Sequence, residues 1–596
     1  MSILDHFPYE VHPRPRNSQV EALVQIEKHD QTLLELPQGE GKTDVAVTFL
    51  RAGRAAGEKR QFYIMPSKTQ VQQVANKFPE FKVAYGRHEH QCLYYGPEHP
   101  FRADEIPCLL LADCPHRVDQ ETGETYDPDE KDRCPYYQQK YEAKLPDGRP
   151  VTGTDAFYLF THLFSKEFQP AERLVIDEAH RIAEIFRNAL SYEISDYHLY
   201  RAIDLLNEID AEEQAKQLER FAKRMIVLAK RRRLRSKVLL DNEELIELIN
   251  VLADVDGNKL KSKVSEAIRQ GLIDKLEQRE VLKKIETLIY DLRRYILSLE
   301  YSMPTEKHKA LNYTYAYYEE MVPEGKKVQY KLVINSYYVA PLVQKLLPRK
   351  MLAMSGTIGN PEYFGYETGI KAPFYALKSD FPASHTLICL PSDVADLSFG
   401  RRSRQDLNKT FRRIIRASKR FANRGHRSLI VVQSNEEREK VMRFSEEEGL
   451  NAISYGNGVH AKEVLERFKG GEGDALLGTM VHYGEGVDLP DGLAEVIFFL
   501  RPGYPSPFDP QAQFEAQRFP EGHKYALWKW RAMIQCLQVR SRIMRSKKAK
   551  GVTFYMSQQF KSLLYHALPE ELKEAYDRVR GKTFDECVQE AEKLLD

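Results

Sequence analysis

The chain has 596 residues, of which 42% are hydrophobic and 29% charged, a composition typical of globular rather than disordered proteins. Its 88 basic and 87 acidic side chains give a formal net charge of +1, which excludes a uniformly basic, histone-like nucleic-acid binder. No apolar run is long enough for a transmembrane helix, and the first ten residues lack a secretory signal pattern. We therefore expect a cytoplasmic protein with no membrane contact.

Short apolar runs alternate with segments of helical composition in the first part of the sequence. Buried strands are predicted at residues 33–36, 61–65 and 173–176, and helices at 45–50 and 70–77. The same pattern returns after residue 361, with predicted strands at 428–432, 475–479 and 495–500 and a helix at 436–447. Such alternation predicts an α/β fold with mainly parallel, wound sheets in two domains.

Two segments interrupt this pattern. Residues 87–147 are polar, contain several prolines and show little periodicity, so we expect an insertion held by something other than a hydrophobic core. Residues 190–330 are largely helical in composition, for example at 242–252 and 281–299. The basic run at 230–237 fits either a solvated helix face or the wall of a nucleic-acid path.

Tyrosines recur near the end of the second insertion, at 313–318 and 337–338. Exposed tyrosines can stack on nucleic-acid bases. Their alternation favours buried positions in a sheet over base stacking.

A phosphate-binding loop is predicted after the first strand, at Gly39, Glu40 and Gly41. Glycines let the backbone approach phosphates closely, and the N-terminus of the following helix attracts negative charge. Lys42 is positioned to reach the β- and γ-phosphates, and the Thr43 hydroxyl to bind Mg²⁺. Leu36 occupies the place of the usual first glycine. A glycine-rich turn that merely precedes Lys-Thr is the alternative, but the flanking strand and helix favour phosphate binding.

The predicted strand at 173–176 ends in the sequence Asp177, Glu178, Ala179, His180. A carboxylate at a strand end can hold Mg²⁺, and a second one can polarise an attacking water. We assign these roles to Asp177 and Glu178 respectively. Alone, the four residues fit the start of a surface helix equally well. Together with the phosphate loop they predict ATP hydrolysis.

Phosphoryl transfer also requires positive charge near the γ-phosphate. Gln538, Arg542 and Arg545 share one face if their segment is helical. A solvated basic helix is the alternative, whereas in a two-domain ATPase these side chains would act across the cleft. The nearby loop at 484–488 contains Gly486 and Asp488 and is placed to couple the nucleotide to a second ligand.

Four of the seven cysteines lie within the first insertion: Cys92, Cys108, Cys114 and Cys134. Four thiolates suit a zinc ion or an iron–sulfur cluster equally well. The sequence has no Cys-x-x-Cys pair here, which disfavours a zinc ribbon. A degenerate, metal-free insertion is the third interpretation, while four unrelated buried cysteines would be unusual in so polar a segment.

The order of these motifs resembles that of superfamily 2 helicases, and within them the XPD/DinG family of iron–sulfur DNA helicases. The resemblance covers nearly the whole chain and includes the loop at 36–43, the DEAH sequence at 177–180, Ser355-Gly356-Thr357 and the segments at 484–488 and 538–545. Ser541 stands where the family usually has glycine. The resemblance implies two RecA-like motor domains, a [4Fe–4S] cluster bound by the four cysteines, and a helical Arch domain.

The resemblance also assigns roles to residues that spacing alone does not single out. Arg16 and Gln19, after Phe7-Pro8-Tyr9, resemble the adenine-reading motif of the family, and Gly486 and Asp488 are implied to lie near the nucleotide. DNA contacts are implied for four residues: Thr69, Gln70, Arg87 and Tyr136.

The domain boundaries implied by these assignments follow the chain order. We expect the first motor domain at 1–86, 148–190 and 336–360, the cluster domain at 87–147, the Arch domain at 191–335, and the second motor domain at 361–596.

We therefore expect an ATP-dependent single-strand DNA translocase and helicase that acts on single-stranded and forked DNA and uses ATP, Mg²⁺ and a [4Fe–4S] cluster. One chain carries both halves of the ATP cleft, which favours a monomer. The resemblance implies 5′–3′ polarity. The main alternative is a translocase with weak unwinding that serves a repair, transcription or defence complex. A fused nuclease is disfavoured because no acidic exonuclease triad is evident, and the intact ATPase motifs disfavour a purely structural protein.

Overall fold

The computed structural model of the protein describes residues 2–37, 39–111, 113–231, 237–303, 314–322, 328–380, 382–456, 458–484, 493–543 and 548–596. The described residues form two parallel sheets of seven and six strands and one antiparallel sheet of three strands. No helix in these ranges is long and apolar enough to cross a membrane.

The first part of the chain alternates strands and helices, as its sequence predicts. In chain order its elements are α1 Asn17–Glu27, β1 Gln31–Glu35, α2 Lys42–Ala55, β2 Gln61–Met65, α3 Lys68–Lys77, β3 Lys82–Ala84, α4 Pro135–Lys144, β4 Val151–Thr154, α5 Asp155–Leu159, β5 Arg173–Ile176 and α6 Ile182–Ala189. Strands β2 and β5 are buried along their whole length, as expected for a parallel sheet covered on both faces.

The second insertion is helical but also contains a sheet. Its elements are β6 Tyr192–Ser195, α7 Asp196–Glu208, α8 Glu212–Arg231, α9 Asn242–Ala253, α10 Gly257–Arg269, α11 Arg279–Glu300, β7 Thr314–Met321 and β8 Gln329–Ser336. The sheet has the antiparallel order β6-β8-β7. Tyr315, Tyr317 and Tyr318 on β7 are buried, so the preference for sheet tyrosines over base-stacking ones is confirmed.

The chain then returns to the first sheet. It adds α12 Ala340–Leu346, β9 Lys350–Ser355, α13 Pro361–Thr368 and β10 Phe374–Ala376, which completes the order β10-β1-β9-β5-β2-β4-β3. Since β10 pairs with β1 and Phe364 packs in the same core as β5, the structure assigns residues 361–376 to the first α/β domain. The sequence had placed them in the second domain, because so short a strand gives no recognisable pattern.

The second α/β domain follows. Its elements are β11 Thr386–Cys389, α14 Arg404–Ala422, β12 Ser428–Val432, α15 Asn435–Glu448, β13 Ala452–Ser454, α16 Ala461–Lys469, β14 Ala475–Thr479, β15 Val496–Phe499, α17 Pro510–Arg518, α18 Glu521–Arg540, β16 Gly551–Tyr555, α19 Lys561–Ala567, α20 Glu570–Asp577 and α21 Phe584–Leu595. The strands are parallel in the order β11-β16-β15-β12-β14-β13.

The cysteine-containing segment shares a hydrophobic core with the helical insertion. Ile106, Leu110 and Leu111 are buried in one cluster with residues of α7 to α11. Polar contacts strengthen the junction, since the Leu109 amide donates to the Glu286 carboxylate at 2.6 Å. The expectation of a segment without a hydrophobic core was therefore wrong in part, because its few apolar side chains are completed by another part of the chain.

A buried network of charged side chains joins both α/β domains to the small sheet. Arg531 of α18 pairs with Glu367 of α13 and with Glu515 of α17, the latter at 2.6 Å. Arg187 of α6 also pairs with Glu367, and the Tyr337 hydroxyl donates to Glu515 at 2.9 Å. Buried carboxylates are stable only when they are paired in this way.

We predict that Glu367→Gln will lower the free energy of unfolding by about 3 kcal/mol, because it leaves buried arginines without their anion. Burial alone would raise the pKa of Glu367, but Arg187 and Arg531 lower it to about 2. The stabilisation is therefore complete above the unfolded pKa of about 4.3 and is lost as the pH falls towards 2.

Urea unfolding at pH 7 and at several pH values down to 3 measures both effects. The variant should lose less stability than the wild type on acidification. Glu362→Gln, on the exposed side of α13, is the matched control. Equal stability of wild type and Glu367→Gln at pH 7 would contradict this account of the network.

Candidate nucleotide and nucleic-acid site

The loop between β1 and α2 has the backbone geometry of a phosphate-binding loop. Gly39 and Gly41 have φ angles of 83° and 82°, a left-handed conformation that favours glycine. Gly41 directly precedes the first residue of α2, so the free amides of that helix face the loop. Gln38 lies outside the described residues.

Lys42 meets the DEAH sequence across the carboxyl edge of the sheet. Its Nζ lies 3.2 Å from Oε1 of Glu178, and both side chains are largely buried. Glu178 has a left-handed φ of 46°, an uncommon conformation for a residue with a side chain and one that concentrates at functional sites. Burial alone would lower the pKa of Lys42, but Glu178 and Asp177 raise it.

The two carboxyl groups differ in their electrostatic surroundings. Burial raises the pKa of Asp177, as does the neighbouring Glu178, while Lys42 opposes the rise. Burial would also raise the pKa of Glu178, but Lys42 and His180 lower it. Lys42 therefore outweighs the effect of burial at Glu178, with the help of His180, but not at Asp177, whose pKa stays raised.

Tyr63 on β2 is a functional candidate that the sequence did not single out. Its hydroxyl donates to Oδ2 of Asp177 at 3.0 Å, and a hydrogen bond to Thr43 also acts on its pKa. It thus contacts both residues predicted to bind Mg²⁺. In the sequence, Tyr63 is visible only as a tyrosine within a mostly apolar strand. Such a residue fits a position in the hydrophobic core equally well, so it was not singled out.

The turn after β9 contacts the DEAH sequence. The Ser355 hydroxyl lies 2.8 Å from Nδ1 of His180 and donates to the Thr357 carbonyl at 3.0 Å. His180 in turn lies 3.5 Å from Glu178. Ser355-Gly356-Thr357 therefore lies at the catalytic edge of the first sheet.

The residues expected to read adenine support the phosphate loop. Gln19 is buried, accepts from the Arg16 amide at 2.8 Å and donates to the Gly41 carbonyl at 3.1 Å. Arg16 donates to the Gly39 carbonyl and lies 3.6 Å from Glu40. Both thus bind the backbone of the loop in this structure.

Glu40 is fully buried beneath the loop. Its carboxylate accepts from Ser18 at 3.1 Å, from the Ser379 hydroxyl at 3.0 Å and from the Asp380 amide at 2.8 Å. Ser379 and Asp380 belong to the connection between the two α/β domains. Glu40 therefore ties the phosphate loop to that connection.

The second domain faces the loop across a cleft. The cleft is lined by Pro37 and Thr357 on one side and by Arg540 and Ser541 on the other. Helix α18 ends at Arg540, one turn earlier than a shared face of Gln538, Arg542 and Arg545 requires. The shared face was predicted on the condition that the segment is helical, and residues 541–543 are not part of the helix.

The predicted arginines beyond this helix end are placed differently from Arg540. Arg542 donates to the Tyr483 carbonyl at 2.9 Å, and Gln538 is buried in the last turn of α18. Arg540 was passed over in the sequence, because its place in the cleft depends on neighbours that are distant in sequence, such as Thr357 and Thr386. Gly486, Asp488 and Arg545 lie outside the described residues, as do residues 232–236 of the basic run.

The four clustered cysteines line a single cavity: Cys92, Cys108, Cys114 and Cys134. Burial raises the pKa of Cys92 to about 11 and that of Cys114 to about 12, and neighbouring thiols act in the same direction. Among the described residues, no group of three or more His, Cys, Asp or Glu side chains is arranged to hold a metal ion.

Two of the expected DNA contacts also line this cavity. Arg87 donates to the carbonyls of Ala103 and Ile106 at 2.7 and 3.0 Å, so its guanidinium holds the segment together. The Tyr136 ring contacts His90, with ring centroids 5.8 Å apart.

The other two expected contacts lie at the start of α3. Ser67 caps this helix by accepting from the Gln70 amide, and the Ser67 hydroxyl donates to the Gln70 side chain at 2.9 Å. Thr69 is exposed in the first turn. An exposed helix start of this kind suits contact with a phosphate backbone.

Two protein families match separate parts of the chain. The family described as the type III restriction enzyme, res subunit, matches residues 12–219, and the helicase C-terminal domain matches residues 418–575. A probable ATP-dependent helicase of Methanocaldococcus jannaschii is 24% identical over 665 residues, with 96% of each protein covered.

Solved structures agree with these matches at the level of fold. An XPD helicase superposes with a TM-score of 0.61 at 17% identity and covers 96% of this chain and 99% of its own. The Xpd4 protein of S. tokodaii superposes with a TM-score of 0.54 at 15% identity, covering 92% and 96%.

The two parallel sheets, the phosphate loop and the DEAH sequence, together with the match to a helicase C-terminal domain, are those of an ATP-dependent helicase. The fold of the chain is similar to that of the XPD helicases.

We predict that Tyr63→Phe will raise the Mg²⁺ concentration for half-maximal ATP hydrolysis by about five-fold, the equivalent of one hydrogen bond. Without its donor, the Asp177 carboxylate is protonated more easily and holds a cation less well. A Mg²⁺ titration of ATPase activity measures this. Tyr158→Phe, which removes a buried hydroxyl bonded to the Leu346 carbonyl, is the control. An unchanged Mg²⁺ requirement would show that Tyr63 does not support Asp177.

Proposed function

We propose that this helicase translocates along single-stranded DNA and unwinds forked duplexes with 5′–3′ polarity, using ATP, Mg²⁺ and a [4Fe–4S] cluster. The observation that supports the proposal is the contact of Lys42 with Glu178, next to Asp177, at an edge of the first sheet. Near this edge, Pro37 and Thr357 of the first domain line a cleft together with Arg540 and Ser541 of the second. A reaction between two domains can change their separation, and that change is what moves a strand.

The roles proposed for the phosphate site follow from charge and position. Lys42 and the amides at the start of α2 would bind the β- and γ-phosphates, while Thr43 and Asp177 would hold Mg²⁺, which neutralises phosphate charge. Glu178 would orient the attacking water, and its contact with Lys42 keeps it anionic.

Stabilisation of the transition state is assigned to the second domain. Gln538, Arg542 and Arg545 remain our proposed contributors, with Gly486 and Asp488 nearby, and Arg540 joins them because it already lines the cleft. Adenine contact is proposed for Arg16 and Gln19.

The proposed DNA path runs over the first domain and past the cysteine segment. Thr69 and Gln70 at the start of α3 would bind phosphates, and Arg87 and Tyr136 would lie where the strand enters. The core shared by the cysteine segment and the helical insertion supports a joint role for the two parts. We propose that they are the cluster domain and the Arch domain, and that the former parts the duplex.

We propose that the four cysteines lining one cavity would hold an iron–sulfur cluster. A zinc ion at 2.3 Å from each ligand would hold the four sulfurs only about 3.8 Å apart. An iron–sulfur cluster would be bound by the same four thiolates, and the absence of a Cys-x-x-Cys pair in this segment disfavours a zinc ribbon. The cluster would cross-link a segment whose own core is small.

The alternative function is a nucleic-acid-stimulated ATPase with weak unwinding, acting within a larger complex. Hydrolysis and unwinding must therefore be measured separately, on single-stranded DNA and on forks with either a 5′ or a 3′ tail. Stimulated hydrolysis without unwinding would favour the alternative, and unwinding of forks with a 3′ tail alone would contradict the proposed polarity.

We predict that Lys42→Ala will lower ATP turnover by at least about a hundred-fold, because the charge facing the phosphates is lost. Binding of single-stranded DNA should stay within about two-fold of the wild type. Steady-state ATPase assays and fluorescence anisotropy with a labelled oligonucleotide measure the two quantities. Lys59→Ala, an exposed lysine of the same domain, is the control. Wild-type turnover in Lys42→Ala would overturn the assignment of the site.

We predict that Cys134→Ser will lose the cluster and unwinding but keep part of the ATPase activity, since the cysteine cavity lies outside the nucleotide cleft. The wild type, purified without oxygen, should absorb at roughly 400 nm and contain about four irons per chain. The control is Cys536→Ala, in the core of the second domain, which should retain the absorbance and the iron content of the wild type. One zinc and no colour in the wild type would replace the cluster by a structural zinc site.

A further inference from the structure

The turn at residues 355–359 is held from both domains. From the first domain, the Glu35 carboxylate accepts from the amides of Ile358 and Gly359, the latter at 2.8 Å. From the second domain, the indole Nε1 of Trp530 donates to the Ile358 carbonyl at 3.0 Å. The position of this turn therefore depends on the positions of both domains.

Trp530 lies on helix α18, one face of which packs in the second domain and the other against the first domain. Met533 and Leu537 of α18 pack in the core of the second domain, whereas Trp530 packs against the core of the first domain beside Ile358. Gly359 fits closely under this helix, since a Cβ there would meet Trp530 at 3.4 Å. Helix α18 then continues to Arg540 at the nucleotide cleft.

The same turn also contacts His180, the neighbour of the Glu178 carboxylate that is proposed to orient the attacking water. Ser355 at its start contacts His180 at 2.8 Å, and His180 lies 3.5 Å from Glu178. Hydrogen bonds thus connect Trp530 of the second domain to the turn, and Ser355 of the turn to His180 of the first domain. His180 approaches the Glu178 carboxylate at 3.5 Å without a hydrogen bond between them. Any shift of α18 relative to the first sheet must either move the turn or break the indole hydrogen bond.

We propose that Trp530 is a positioning residue for ATP hydrolysis, which sets the 355–359 turn and, through Ser355 and His180, the position of Glu178. This inference rests on ATP hydrolysis at the site proposed above. The hydrogen bond of Trp530 forms only at one separation of the domains, so hydrolysis is efficient only when the cleft has that geometry.

The chain supplies its own matched control, because its two tryptophans both lie on α18. The Trp528 indole bonds to Glu515 in the buried network and not to the turn. Trp530→Phe removes the N–H donor and keeps an aromatic ring, and Trp528→Phe makes the same change two residues away.

In ATPase assays with saturating single-stranded DNA, Trp530→Phe should lower kcat about five-fold, the equivalent of one hydrogen bond, and leave KM for ATP within about two-fold. Trp528→Phe should stay within two-fold of the wild type in both constants. In a Ser355→Ala background, Trp530→Phe should have little further effect, because the series of contacts is already interrupted. An unchanged kcat in a folded Trp530→Phe protein would overturn the inference. So would a double variant in which the losses of kcat caused by Ser355→Ala and Trp530→Phe simply multiply.

A second readout does not depend on activity. Trp528→Phe leaves Trp530 as the single tryptophan, and Trp530→Phe leaves Trp528. A non-hydrolysable ATP analogue should change the emission of the Trp530 protein more than that of the Trp528 protein. A nucleotide-insensitive Trp530 would refute the inference even if Trp530→Phe failed to fold. ATP turnover that survives Lys42→Ala would instead refute the proposed site.

Discussion

The buried ammonium group of Lys42 is the charge on which the nucleotide site depends. Asp177 and Glu178 are adjacent, buried and both acidic, so without a cation they would repel each other in a medium of low dielectric constant. Lys42 compensates Glu178 through direct contact and leaves Asp177 in need of positive charge. A triphosphate would add further negative charge at this edge of the sheet, which is the electrostatic reason for the proposed Mg²⁺.

Buried charges also determine how the domains meet. Arg531 pairs with Glu367 of one domain and Glu515 of its own, while Glu40 of the phosphate loop binds Ser379 in the connection. Apolar contacts tolerate sliding, whereas hydrogen-bonded charges fix one register and are costly to leave half-broken. Domain movement in this protein is therefore expected between discrete arrangements rather than over a continuous range.

The sequence predicted those parts that have local signals. Strands β2, β5, β12 and β14 were placed at their observed bounds, because each is a continuous apolar run. Strand β10 was missed because its three residues carry no pattern and are fixed only by pairing with β1. For the same reason Tyr63 was missed and Arg540 was passed over, since their roles arise from neighbours distant in sequence.

The shared core of the cysteine segment and the helical insertion changes the physical role of a metal centre there. Ile106, Leu110 and Leu111 already bury apolar surface against the helices, so this edge of the segment has a hydrophobic anchor. The opposite edge contains Cys134 and helix α4, whose residues Tyr136 and Tyr137 line the cysteine cavity. This edge packs on the core of the first α/β domain through Ala143 and Tyr136. A cluster would therefore connect a part anchored on the helical insertion to a part anchored on the first domain. Its loss should disturb the cysteine segment more than the cleft, because the two lie in different parts of the fold.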